Sequence, residues 1–313
     1  MIKGTKAETL DFLRKKDFPI PLLYYFTTKQ WITNQENILS NIFSRFNKNK
    51  YLAIRSSSLS EDNEKNSMAG AFESLLNVNK ANKNQIVNSI NTVINSFDKN
   101  LKNQILIQSM VENVAMSGVV MTKVFDDGSP YYVINFDDST GKTDTVTNGN
   151  SINKTVYVYN GFKNEDFDSP YLLGLLKTVK QLESIYKGLP LDIEFAINHN
   201  QEVFLLQVRL ITTSEKWNKE TNKLVSERLP YLETFVNQLN NRRVGLYGAK
   251  TLLGIMPDWN PAEMIGLVPK PLAMSLYREL ITKRTWSLSR EEMGYKKMPE
   301  VELMVSLFGR PYI

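Results

Sequence analysis

Residues 191–209, LDIEFAINHNQEVFLLQVR, constrain the fold of this chain more than any other stretch. Apolar and polar residues alternate on both sides of a polar turn, which is the period-two signal of two paired strands. Taking His199, Asn200, Gln201 and Glu202 as the loop sets Asn198 opposite Val203. The same register sets Glu194 opposite Gln207 and Asp192 opposite Arg209. Ile193, Phe195, Ile197, Phe204, Leu206 and Val208 then share the other face and can enter a core. Two carboxylates, an amide and a guanidinium converge on the remaining side. Acidic and amide oxygens suit Mg²⁺, and a guanidinium suits phosphate. A cross-strand salt bridge on a solvated face uses the same residues, so the hairpin alone leaves both readings open.

The rest of the composition narrows the field by exclusion. At 313 residues the chain has room for two or three domains. The apolar fraction of 42 % and charged fraction of 23 % are those of an ordinary globular protein. Lys and Asn are abundant but scattered, and a net charge of +5 without a basic run argues against a dedicated nucleic-acid binder. With no cysteine there is no disulfide scaffold, thiol nucleophile or Cys-ligated zinc. No apolar run approaches 18 residues and the N-terminus lacks a signal-peptide core, so a cytoplasmic protein without a membrane span is expected. The single histidine, His199, falls in the expected hairpin turn, which leaves no internal candidate for a histidine metal cluster or a Ser-His-Asp triad.

Along the chain, residues 5–16 read as a helix ended before Pro19, and 22–26 as a strand. Thr28 is the expected N-cap of a helix burying Trp31, Ile32, Ile38, Ile42 and Phe43. Strands are expected at 51–55, 104–111, 117–125 and 131–136. Amphipathic helices are expected at 84–98, with Ile86, Ile90, Val93, Ile94 and Phe97 inside, and at 171–187, stopped by Gly188 and Pro190. A polar helix follows over 215–242, and the composition then shifts to Gly, Pro, Trp and Met. The implied domains are 1–110, 111–213, a linker helix 214–243, and the start of a further domain over 244–313. Gly141-Lys142-Thr143 resembles the end of a P-loop. The pattern fails because Phe136 stands where its first glycine belongs, so a hairpin turn is expected there.

Two stretches suit phosphate. Arg55-Ser56-Ser57-Ser58 follows a strand, so a guanidinium, hydroxyls and backbone N–H groups can meet one anion. Ser67-Met68-Ala69-Gly70 is a small-residue loop that a phosphate can approach closely. A flexible serine-rich turn is the bland alternative. Taken whole, AIRSSSLSEDNEKNSMAGAFESLLNV resembles the signature of the nucleotide-binding domain of pyruvate phosphate dikinase and phosphoenolpyruvate synthase. Three more segments match in order: residues 4–10, GTKAETL, the segment IQSMVENVAMSGVVMT, and the hairpin DIEFA…LLQVR. Together they span roughly residues 3–212.

The resemblance implies an α+β fold of the ATP-grasp type, two subdomains clamping ATP. It implies that Lys6 and Arg55 contact phosphates, with Ser56, Ser57, Ala69 and Gly70 beside them. Gln108, Met110 and Val111 would line the adenine pocket. Glu194 and Gln207 would hold Mg²⁺, Asp192 would support the metal site, and Arg209 would grip the terminal phosphates. The family's first element is Gly-Gly-Lys-Gly; here Thr5 and Ala7 replace two glycines, and Lys6 keeps its place. Enzymes of this family phosphorylate a histidine on a swivelling domain and release AMP. That histidine is not in this sequence, so a phosphohistidine domain C-terminal to these residues is expected, and the end at LFGRPYI reads as a truncation. Residues 254–278 resemble a segment of phosphoenolpyruvate-synthase-like proteins of surface-polysaccharide synthesis, which implies a small-molecule acceptor, L-glutamine. A packing segment between domains accounts for residues 254–278 equally well. A phosphoenolpyruvate synthase, an antibiotic phosphotransferase and a nucleotide-binding module without turnover share the same ATP-facing residues.

Overall fold

The computed structural model describes residues 4–58, 74–96, 100–143, 154–164, 167–211, 217–218, 220–242, 247–254, 259–297, 302–307 and 309–312. The chain divides into two compact units, 1–222 and 223–313. The first is α+β and contains two antiparallel sheets.

One sheet holds β1 (Leu23–Thr27), β2 (Tyr51–Ser57), β3 (Ser74–Asn79) and β4 (Gln104–Ser109) in the order β1-β4-β2-β3. Alternation sends Phe26, Leu52, Ile54, Ile105 and Ile107 to one face, where α2 (Thr28–Arg45) and α3 (Lys83–Asn95) cover them. Arg55, Leu106 and Gln108 fall on the opposite face by the same alternation. Part of that face is covered by α1 (Lys6–Arg14), whose Ala7 and Leu10 pack on Leu23 and Leu106. Thr27, not Thr28, caps α2: its hydroxyl accepts from Gln30 N while the Gln30 side chain answers its backbone, a reciprocal capping box. Ile32 is 66 % exposed rather than buried, because α2 turns its apolar stripe toward Trp31, Ile38 and Ile42. Asn82 caps α3, and Phe97 lies outside the described residues.

The second sheet holds β5 (Val114–Met121), β6 (Tyr131–Asp137), β7 (Lys154–Tyr159), β8 (Leu191–Asn198) and β9 (Val203–Leu210) in the order β7-β6-β5-β8-β9. Its core face packs against α4 (Pro170–Ile185) through Leu175, Leu176, Val179 and Leu182. Leu13 at the end of α1 joins the same core, so α1 touches both sheets.

The β8–β9 hairpin keeps the expected pairs at its open end, Glu194 with Gln207 and Asp192 with Arg209, and loses them near the turn. The loop is one residue shorter than expected. Gln201 takes a left-handed φ of 65°, Gln201 N donates to Asn198 O at 2.9 Å, and Asn198 N donates to Glu202 O at 3.2 Å. This is a three-residue loop closed by a left-handed residue, and it sets Ile197, not Asn198, opposite Val203. A bulge at Leu206 then restores the register. Between turn and bulge the side chains of β9 take the face opposite to the expected one. Val203 and Leu205 enter the core, while Phe204 and Leu206, expected there, stay half-buried on the other side.

The second unit contains most of α5 (Thr221–Leu239), with α6 (Pro261–Met264), α7 (Pro271–Tyr277), a π-turn at 278–282, α8 (Thr285–Glu292), and a small hairpin of β10 (Val305–Leu307) and β11 (Arg310–Tyr312). Its buried apolar side chains include Tyr277, Leu303 and Met304, whereas Leu252, Leu267, Val268, Leu272 and Leu280 are exposed. No helix of the described residues is long and apolar enough to cross a membrane.

Gly118 sits at a close approach of β5 and β6. A Cβ there would stand 2.0 Å from the Asn135 carbonyl oxygen and 2.8 Å from Phe136 Cα. Both are backbone atoms, so relief requires moving a central strand. Gly118→Ala is expected to destabilise the first unit by about 3 kcal/mol. Urea unfolding measures this, and an unchanged midpoint would contradict the close approach.

Candidate functional site

Arg55 lies in the middle of β2, paired with Leu106 of β4 and Ser74 of β3. Its side chain crosses to the second sheet: Nη2 donates to Glu194 Oε2 at 2.8 Å, and Nη1 to the Leu206 carbonyl at 3.2 Å. The Leu206 carbonyl is at the bulge, where one β9 residue is left out of the ladder. Burial works to raise the Glu194 pKa. The charge of Arg55, joined by those of Lys6 and Arg209 and by the Arg55 hydrogen bond, outweighs it and holds the carboxyl below the ordinary range.

Two residues along β8, Asp192 Oδ2 accepts from Arg209 Nε at 2.7 Å. Here burial prevails: it pushes the Asp192 pKa up against the charge and hydrogen bond of Arg209, and the negative Glu194 adds to the rise. The two carboxylates are thus held in opposite senses, one by a dominant cation and one by its dry surroundings. Gln207 is buried beside Glu194 in the register. Lys6, Arg55, Asp192, Glu194 and Arg209 therefore form one electrostatic cluster, with Gln207 as a neutral neighbour.

Three polar atoms of these faces are buried without a hydrogen-bond partner among the described residues: Arg55 Nε, Asp192 Oδ1 and Gln108 Nε2. Buried polar atoms are ordinarily paired, so each is a point where a polar ligand has a donor or acceptor to meet. Gln108 lies opposite Ala53 on the Arg55 face of the first sheet.

Met110 and Val111 belong to the short link from β4 to β5. Two hollows lie against residues 110–113, of about 350 and 470 Å³. The smaller is lined by Leu22, Asn198 and Phe204, among others; the larger by Tyr51, Leu76, Lys142 and Thr143. Neither is lined by Arg55 or Arg209, whose guanidinium groups are turned to Glu194 and Asp192. The Gly141-Lys142-Thr143 stretch is thus more than a turn in sequence. Asp137 accepts from Ser139 N at 2.8 Å, Ser139 Oγ at 2.7 Å and Thr140 N at 3.2 Å, and Ser117 Oγ donates to the Lys142 carbonyl at 2.5 Å, so the loop is tied down where it meets the larger hollow.

The serines separate. Ser57 shares the Arg55 face and accepts from Ala7 N at 2.9 Å, while Ser56 alternates to the face of Ile54 and is fully buried. Ala69 and Gly70 lie outside the described residues. Tyr51, Leu76 and the Leu206 carbonyl carry no signal that a single sequence displays, and Lys142 and Thr143 stand out only as part of the P-loop-like stretch whose pattern fails. Glu8 and Gln104 hold the start of α1, and of the two only Glu8 is visible in sequence, through the Thr5-x-x-Glu8 spacing of a capping box.

Among known proteins, the family model of the pyruvate phosphate dikinase AMP/ATP-binding domain matches residues 28–158. No curated protein matches the chain. Among solved structures, the chain is similar to the D-alanine–D-alanine ligases of Helicobacter pylori (11 % identity, TM-score 0.38, 67 % of this chain and 51 % of that one) and Coxiella burnetii (10 %, 0.42, 74 % and 60 %). It is also similar to PH1788 from Pyrococcus horikoshii Ot3 (12 %, 0.43, 66 % and 91 %). The chain thus spans between half and two thirds of the length of the two ligases.

The Arg55–Glu194 pair has a pH signature. A depressed carboxyl pKa adds stability above the unfolded value, about 4.3, and that stability is lost as pH falls through the folded value. Arg55→Met removes the main cation and leaves a carboxylate in a dry site. The expected cost is about 3 kcal/mol at pH 7, shrinking toward pH 4 as Glu194 takes a proton. Urea unfolding at the two pH values measures this, and a pH-independent difference would contradict the pairing.

Proposed function

We propose that the first unit is an ATP-grasp nucleotide-binding domain, and that it drives a dikinase-type phosphotransfer in which a histidine of another domain receives the phosphoryl group and AMP and phosphate are released. The observation that carries this reading is the set of buried atoms without partners among the described residues, Arg55 Nε, Asp192 Oδ1 and Gln108 Nε2, on faces that also bear Arg209 and Glu194 and that the charge of Lys6 reaches. The family match over 28–158 supports it, as do two antiparallel sheets tied through Arg55.

ATP carries several negative charges that must be neutralised in fixed positions before its phosphates react. Lys6, Arg55 and Arg209 supply that charge from three different elements. The backbone of Met110 and Val111, with the hollows beside it, receives the adenine end. The oxygen donors of Glu194 and Gln207, adjacent in the register, suit Mg²⁺, which takes one or two protein ligands and completes its shell with phosphate oxygens and water. When bound, the ion supplies charge that orients the phosphates. Asp192 keeps Arg209 in place through its hydrogen bond.

The acceptor histidine is assigned elsewhere because His199 lies in the β8–β9 turn. For the final acceptor, the resemblance of residues 254–278 favours L-glutamine, phosphorylated on its amide nitrogen as by the L-glutamine kinase of capsular phosphoramidate synthesis. A cytoplasmic location accords with that role.

Calorimetric titration of the chain with ATP tests the reading. Binding is expected with Mg²⁺ and weaker without it, and no ATP binding in either condition would overturn it. Arg209→Ala is expected to lower AMP formation by on the order of 10²-fold in a protein that includes the histidine domain. Glu194→Gln is expected to raise the Mg²⁺ concentration needed for half-maximal AMP formation while leaving metal-free nucleotide binding nearly unchanged. An unaltered Mg²⁺ dependence would remove Glu194 from the metal site.

A further inference from the structure

We propose that Gln104 is a positioning residue that acts through Lys6, fixing where this ammonium meets the phosphates; the inference rests on the nucleotide-binding reading of the site.

The start of α1 is an unusual cap. Thr5 and Glu8 form a reciprocal capping box, with Glu8 N donating to Thr5 Oγ1 at 3.3 Å and Thr5 N donating to Glu8 Oε2 at 3.1 Å. Such a box is self-contained and needs nothing outside its helix. Here a third residue bridges both halves. Thr5 Oγ1 donates to Gln104 Oε1 at 2.6 Å, and Gln104 Nε2 donates to Glu8 Oε1 at 2.8 Å. Gln104 is at the beginning of β4, and its partner across the ladder is Ser57 of β2. Ser57 Oγ in turn accepts from Ala7 N. Thr5, Ala7, Ser57 and Gln104 are all buried, so little water competes for these bonds.

The consequence falls on Lys6. Its two chain neighbours are each tied to a different strand, Thr5 to β4 and Ala7 to β2. Its backbone is therefore clamped to one cross-strand pair of the sheet, two residues along β2 from Arg55. From there its charge reaches Glu194. The same bonds occupy the Ala7 and Glu8 N–H groups that a helix N-terminus would otherwise offer an anion. With Thr5 and Ala7 where the resembling family has glycines, contact between this helix and a phosphate passes through the Lys6 side chain, and the amide of Gln104 decides where that side chain starts.

A double-mutant cycle read by titration calorimetry separates positioning from plain stability. The ligands are Mg·ATP and AMP, on the chain as it stands. Gln104→Met is expected to weaken Mg·ATP about tenfold and AMP less than about twofold, because AMP lacks the phosphates Lys6 would hold. In a Lys6→Met background, Gln104→Met is expected to add nothing further. Thr5→Val, which deletes one hydroxyl and keeps the shape, is expected to share the selective loss for Mg·ATP and guards against a Gln104 variant that folds poorly. Equal losses for Mg·ATP and AMP, full additivity with Lys6→Met, or no loss in both the Gln104 and Thr5 variants would each overturn the proposal. A wild-type chain that binds no Mg·ATP would overturn the nucleotide reading together with it.

Discussion

The ion pair of Arg55 and Glu194 ties β2 of one sheet to β8 of the other, and much of the first unit is arranged around making it tolerable. A carboxylate taken out of water is costly unless a cation and hydrogen bonds replace the solvent. Arg55 supplies both, and its second nitrogen takes the Leu206 carbonyl that the bulge leaves outside the ladder. The β9 irregularity is therefore connected to the pair: it turns a backbone acceptor toward the guanidinium and re-aims Phe204 and Leu206 away from the core. On the proposed reading, Arg55 turns to phosphate and Glu194 to Mg²⁺ when nucleotide binds, so neither charge is left bare.

Helix α1 gives this pair a fixed frame. Ala7 and Leu10 pack on the first sheet, and Leu13 enters the core of the second. Beyond it, Leu205 N donates to the Pro19 carbonyl at 2.9 Å, so the chain leaving α1 runs along the free edge of β9. An edge strand with unpaired backbone groups invites foreign pairing, and this bond occupies one of them. The same contact holds the hairpin that carries Glu194 and Gln207 against the helix that carries Lys6.

Much of this was legible in the residues, for reasons that differ from element to element. The Glu194–Gln207 and Asp192–Arg209 pairs follow from period-two alternation, which is robust because a one-residue slip would bury charges. The turn was not legible: three- and four-residue loops differ only in whether Gln201 accepts a left-handed backbone, a choice of small local energy. Thr27 and Thr28 are both sound caps in isolation, and the packing of α2 against the sheet decides between them. Strands β3 and β7 escaped notice because SLLNVN and KTVYVY are short and half-exposed, with Asn77 at a positive φ of 56° inside the first. Of the site, the charged residues announced themselves. The residues lining the hollows did not, since Tyr51, Leu76 and Thr143 are ordinary until the chain brings them to one place.

What the sequence determined by itself was the alternating pattern and the kinds of charge it carries: apolar faces that must be buried, and carboxylates, lysines and arginines too regularly placed to ignore. Burial of apolar surface is non-directional and set by composition along the chain, so the two cores and their helices follow from it. Only the tertiary structure decided which charges of distant segments meet. Arg55 and Glu194 are 139 residues apart in sequence, and Thr5 and Gln104 are 99 apart. Hydrogen bonds and ion pairs act over a few ångströms and depend on direction, so their partners are chosen after the sheets have formed and brought distant segments into register.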